Sequence, residues 1–160
     1  YCRELKAIGA TGVIMAEQAA GLLSNEDCQE YSTVYVRQIV EAVQDEDFTV
    51  ILHNCGNKGQ CTQAMIDSGA AALHFGNAVD MVETLEQCPS DLIVMGNIDP
   101  VGILKQATSE EVYRATADLL SKTLQYKNFV ISSGCDMPPL VPDANIKAFY
   151  QAIADFNAGK

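Results

Sequence analysis

The sequence predicts an α/β fold: about five βα units of parallel sheet, of the kind that builds a (β/α)8 TIM barrel. Three observations carry this expectation. Apolar runs of four to six residues recur along the 160 residues, with helical segments between them. Each run is stopped by glycine or polar residues and is apolar at successive rather than alternate positions, as in a strand buried on both faces. Strand and helix alternate, which implies parallel pairing through right-handed crossovers. Five strands cannot close an eight-stranded barrel, which takes about 250 residues. The chain is therefore either the last five units of a barrel or a small open sheet. It begins at Tyr1, already inside a helical pattern, which favours the barrel. We expect a single domain, 1–160, forming the C-terminal part of a TIM-barrel catalytic domain whose N-terminal part is absent. Such a piece would expose apolar sheet where other strands belong, and would fold poorly in isolation.

The expected strands, in order, are Thr11–Ala16, Phe48–Leu52, Ala71–Phe75, Leu92–Met95 and Phe129–Ser132. Between the first two, Ser24 can cap a helix with Asp27 at its third position. That helix runs to about Ala42, with Val36, Ile39, Val40 and Val43 at helical spacing. Met65 and Ile66 belong to a shorter helix ending near Gly69. Asp99 before Pro100 reads as an N-cap with proline in the first turn. Thr108 and Glu111 form a capping box ahead of a long helix to about Tyr126. Asp143 is the expected cap of the last helix, whose Ile146, Phe149, Tyr150 and Ile153 share a face.

Composition narrows the function classes. Ten basic against twenty-one acidic residues give a net charge of −11. That balance argues against a phosphate backbone as partner and is the signature of a well-solvated acidic surface. No apolar run approaches the roughly 20 residues that span a bilayer, and no signal peptide is visible. We therefore expect neither a nucleic-acid nor a membrane partner. Six cysteines in a chain of this size, with no mark of secretion, read as mostly free thiols in a reducing cytoplasm.

In parallel α/β folds the site lies beyond the carboxyl ends of the strands. There the chain gathers Glu17 and Gln18, then His53-Asn54-Cys55-Gly56, His74 with Gly76-Asn77, Gly96-Asn97-Ile98-Asp99, and Ser133-Gly134-Cys135-Asp136. His53 and Cys55 are two residues apart, which on extended chain puts both on one face. Cys135 stands at the equivalent end of the last strand. One imidazole and two thiolates suit zinc, and three protein ligands leave its fourth position open, as catalytic sites do. The alternative for each cysteine is a small buried hydrophobe. Glu17 is either a fourth metal ligand, a polar substrate contact, or a solvated or capping carboxylate. Asn97 and Asp99 can line the pocket, although the capping role suffices for Asp99. Asn54 and Asn57 suit the turn. His74, inside an apolar strand, reads as a core or pocket-wall histidine rather than a ligand. Asp136 either orients the site or starts the loop before Pro138. Cys2, Cys28, Cys61 and Cys88 fall on helices or their ends and read as structural.

The stretches LHNCGN, GNIDPVGIL and SSGCDMPPLVP followed by NIKAF resemble the uroporphyrinogen decarboxylase superfamily, from about Gly12 to Ile153. Within it, the chain is similar to the methylcobalamin:coenzyme M methyltransferase branch and related corrinoid-dependent enzymes, in their C-terminal barrel half. The resemblance implies zinc on His53, Cys55 and Cys135, and a pocket lined by the GNIDP stretch; Glu17, from its strand-end position, and Asn97 are the candidate catalytic residues. The resemblance also implies a methylated corrinoid, either methylcobalamin or a corrinoid protein, as methyl donor, and a small thiol such as coenzyme M as acceptor. Decarboxylases of the superfamily lack this metal set and tend to carry Gly-His near Gly134-Cys135. Two other readings stay open: porphyrinogen decarboxylation without metal, and a non-catalytic barrel that binds a corrinoid or tetrapyrrole.

Overall fold

Five strands pair in parallel and in chain order, as the alternation predicts: β1 Gly12–Ala16, β2 Thr49–Asn54, β3 Ala72–Phe75, β4 Ile93–Ile98 and β5 Phe129–Ser133. The computed structural model describes residues 1–159. The helices are α1 Cys2–Ala7, α2 Asn25–Cys28, α3 Val34–Val43, α4 Thr62–Asp67, α5 Met81–Gln87, α6 Ser109–Lys122 and α7 Asp143–Ala158. A 3₁₀ turn spans Ala19–Leu22, and π-helical turns span Gln29–Thr33 and Pro100–Lys105. No described helix is long and apolar enough to cross a membrane.

The caps explain where the helices start. Ser24 accepts from Asp27 N at 3.1 Å, as its spacing predicts. The helix it opens is not uniform, because the π turn at Gln29–Thr33 lies between α2 and α3. Asp99 accepts from Val101 and Gly102 N–H groups, with Pro100 in the first turn. Both bonds of the Thr108–Glu111 capping box are present. Asp80 caps α5 by accepting from Val82 N and Glu83 N at 2.8 and 3.1 Å. The expectation for Asp143 is corrected. The residue before α7 is Pro142, whose ring already sets the entry dihedral (φ −60°, ψ 134°), and no side chain makes a capping bond. Asp143 is instead the first helical residue, where its charge favours the helix dipole. The long helix α6 stops at Lys122, and Tyr126 closes a turn onto Thr123 O.

Strand alternation gives the sheet two unlike faces. Val50, Leu52, Leu73, Phe75 and Val94 face the helices and pack with Val36, Val40, Val43, Met65 and Leu85. A second cluster, around Ile98, Leu104 and Val112, lies where α6 and α7 pack together. On the opposite face the register aligns Ile14, Ile51, Ala72 and Ile93 in one row. Ala16, His53, His74, Met95 and Val130 form the next. Asn97 and Ser132 follow toward the strand ends. This face is apolar at its base, where Ile14 is 62% exposed and Ile93 44%, and polar at its carboxyl rim.

Candidate metal centre

His53 is held by β2, in register between Ala16 of β1 and His74 of β3. Cys55 follows on the loop beyond β2, and Cys135 on the loop beyond β5. Their ligand atoms all lie within 4.8 Å of one another. Two strands separate β2 from β5, so the loops must close that gap. They do so by stacking backbone on backbone. A Cβ on Gly76 would sit 2.7 Å from Cys55 O, and a Cβ on Gly134 would sit 2.7 Å from Asn77 N. Both positions demand glycine because no side chain fits between the loops. The Cys55 loop, the Gly76–Asn77 loop and the Gly134–Cys135 loop thus form a continuous stack. Asn54 shapes the first of them, its Oδ1 accepting from Gly56 N and Asn57 N at 3.2 and 3.1 Å.

His53 is buried, and its Nε2 has no hydrogen-bond partner. Its Nδ1 lies 3.1 Å from His74 O and 2.7 Å from His74 Nδ1. His74 Nε2 lies 2.9 Å from both Ser132 Oγ and Ser133 O. Burial pushes the Cys55 thiol up, and the nearby Cys135 sulfur pushes it the same way. Burial likewise holds the His74 imidazole below its ordinary value, and His53 adds to that effect. Both shifts disfavour charge in a site without a cation, and a bound cation inverts that preference for a thiol. A buried imidazole nitrogen without a partner beside two sulfurs fits a soft divalent metal.

The other predicted residues fall into place differently. Glu17 lies outside the three-residue cluster. Its N–H donates to His53 O at 2.8 Å, and its carboxylate accepts from Ser32 Oγ at 2.7 Å, at the π turn. The Asn97 amide nitrogen donates to Gly76 O and Val79 O at 3.0 and 2.9 Å, which ties β4 to the loop after β3. Asp99 caps the π-helical turn, and Asp136 is close enough to act on the charge of His74. Cys28 and Cys61 pack together in a small core with Ala20 and Ala64. Burial pushes the Cys61 thiol up to about 12 and Cys88 up to about 11, as expected of inert structural thiols. Sequence reasoning missed the contact between the two histidines. The only signal was the shared strand-end position of His53 and His74, since register is invisible before the strands pair.

A parallel βα sheet with an imidazole and two thiols converging at its carboxyl rim defines a barrel-type chain with a candidate metal centre. It belongs to the uroporphyrinogen decarboxylase (URO-D) family, whose model matches residues 1–156. The methylcobamide:CoM methyltransferase MtbA of Methanosarcina acetivorans is 27% identical over 158 residues, covering 98% of this chain and 45% of that protein. A uroporphyrinogen decarboxylase of Prochlorococcus marinus is 28% identical over 151 residues, covering 93% of this chain and 42% of that enzyme. The chain thus spans less than half the length of these curated relatives. A solved methyltransferase from Methanosarcina mazei superposes with a TM-score of 0.85 at 20% identity, over 98% of this chain and 45% of that one. That likeness extends the fold to part of a larger βα architecture.

Proposed function

We propose that this chain is the metal-carrying part of a zinc-dependent methyltransferase that moves a methyl group from a methylated corrinoid to a small thiol. The single observation that carries the reading is the donor set: His53, Cys55 and Cys135 within 4.8 Å, with the buried His53 Nε2 unpartnered. His53, Cys55 and Cys135 would hold the zinc, whose charge would supply the chemistry of keeping a substrate thiol as a thiolate nucleophile at neutral pH.

The chain's own residues supply the rest. His53 offers a neutral ring nitrogen. Cys55 and Cys135 release their protons when the metal binds. The stacked glycine loops hold the two sulfurs together. Glu17 and Asn97 are the proposed contacts to substrate, Glu17 held by Ser32 and Asn97 by the loop after β3. Coenzyme M is the thiol suggested by the name of the MtbA relatives, and methylcobalamin or a methylated corrinoid protein is the donor. We assign a cytoplasmic location, which six free cysteines suit.

The decarboxylase relatives are about as similar overall, so identity does not separate the two activities. The donor set favours methyl transfer, because metal-free decarboxylation has no use for two converging thiols. The test is the zinc content of the intact protein purified without chelators, wild type beside Cys135→Ala. About one zinc per wild-type chain and a marked loss in the variant support the three-ligand site. A methyl-transfer assay with thiol acceptors would follow. No zinc in the wild type, even after anaerobic incubation with the metal, would remove the reading.

A further inference from the structure

We infer that His74 is a positioning residue: it fixes the proton of His53 on Nδ1 and so keeps Nε2 as the bare, metal-binding nitrogen. The inference rests on the zinc reading above and adds to it the element that selects the tautomer. A neutral imidazole carries one N–H and one lone pair, and only the lone pair can bind a metal. Which nitrogen is bare is therefore a condition for the site, and the hydrogen bond made by the other nitrogen decides it.

The chain of contacts runs from β5 through β3 to β2, and it has a carbonyl at each end. At one end His74 Nε2 lies 2.9 Å from Ser133 O. A carbonyl only accepts, so His74 carries its proton on Nε2 and its Nδ1 is bare. The Ser132 hydroxyl fits this assignment, because it is placed to donate to Ser133 O at 3.1 Å and to accept from the same His74 N–H. In the middle, His74 Nδ1 and His53 Nδ1 are 2.7 Å apart, with room for one proton. With His74 Nδ1 bare, that proton belongs to His53. At the other end His53 Nδ1 lies 3.1 Å from His74 O, a second acceptor that asks for the same N–H. The opposite polarity would set bare ring nitrogens against both carbonyls and place a proton on His53 Nε2, which is buried and has no partner to receive it. Both ends of the relay thus select one tautomer, and it is the one competent to bind metal.

The structure assigns His74 this role without placing it on the metal. The role also accounts for a buried histidine inside an otherwise apolar strand.

Two measurements test it on the intact protein. The first is the histidine ring 15N–1H correlation spectrum of the zinc-free wild type, with His74→Phe used for assignment. The expected result is a proton on Nδ1 of His53 and on Nε2 of His74. A His53 proton on Nε2 would overturn the inference. The second is a zinc competition titration of the wild type, His74→Phe and His74→Asn. The phenylalanine ring fills the space but offers no acceptor, leaving the His53 N–H only the backbone carbonyl of residue 74, whereas an asparagine side-chain oxygen can occupy the place of Nδ1. The expected result is about 10–100-fold weaker zinc for His74→Phe, with much of the loss recovered by His74→Asn. Undiminished affinity in His74→Phe, with wild-type zinc intact, would overturn the positioning role alone. A wild type that binds no zinc would overturn the metal reading and this inference together. If His74→Phe does not fold, the wild-type tautomer still decides, because a His53 proton on Nε2 overturns the inference.

Discussion

At the scale of single residues, the cysteines reach each other only because two glycines let three loops touch. Gly134 is the one that adjoins a cysteine of the cluster, Cys135. A methyl group there would meet Asn77 N at 2.7 Å and Gly76 C at 3.2 Å, and both are backbone atoms that cannot swing aside. Gly134→Ala therefore forces the Cys135 loop away from its neighbour. Overpacking of this kind costs about 1–3 kcal/mol, and here the displacement falls on the residue next to a proposed ligand. The expected outcome is a modest fall in melting temperature with a disproportionate loss of zinc affinity, read by a melt and a metal titration on the same preparation. A variant that loses stability but keeps wild-type affinity would show that the loop stack does not set the distance between the sulfurs. Much of this site was legible before the fold. The His-x-Cys spacing and the later cysteine are sequence facts, and the rule that parallel sheets work at their carboxyl edge brings them to one rim. The glycine stack and the histidine relay were not legible. Each depends on which loop touches which, and on a cross-strand register that places His74 beside His53.

At the scale of elements, the loop after β3 is held from three sides. Asn97 of β4 donates to its carbonyls, Gly134 packs on it, and Asp80 ends it by capping α5. The cap satisfies two N–H groups that would otherwise have no partner in the first turn. Asp80→Ala should cost about 1 kcal/mol, the usual value for losing such a cap. Because the same loop supports Gly134, the change should also raise hydrogen exchange at Gly76–Val79. A stability loss with unchanged exchange there would make the cap a local matter of α5. Cap chemistry also shows where sequence reading succeeds and fails at this scale. Ser24, Asp99 and the Thr108–Glu111 box were readable because the polar residue, its partner and the helix start lie within four residues. Asp143 misled because the proline before it already sets the backbone, leaving nothing for its side chain to cap. The π turn at Gln29–Thr33 had no local signal. It coincides with tertiary bonds from Ser32 to Glu17 and from Thr33 to Ala64 O, which involve residues distant in sequence.

At the scale of the whole molecule, the two faces of the sheet are unequally covered. The helix-facing side holds the core, whereas the other side leaves Ile14, Ile93 and Val130 at 62%, 44% and 44% exposed. Isolated exposed apolar residues are ordinary, but these three lie on one face of a continuous sheet whose strand β1 and strand β5 both have an unpaired edge. In a closed barrel that face is the packed interior, filled by layers of branched side chains. The relatives this chain matches are more than twice its length, which leaves room for the strands that would close it. Residues 1–160 produced alone should therefore bind a hydrophobic dye at the sheet face, and should associate as concentration rises, because unpaired parallel edges beside apolar surface invite pairing. Sedimentation across a concentration series, with a thermal melt at each point, reads both effects. Substituting Ile14→Lys and Val130→Lys together should reduce the association by placing charge on the exposed face. A sharp cooperative melt of a monomer, independent of concentration and without dye binding, would mean that the five-stranded unit is a stable domain with a solvated inner face. The proposed metal centre would then have to function at an open rim, without a barrel interior to exclude water from it.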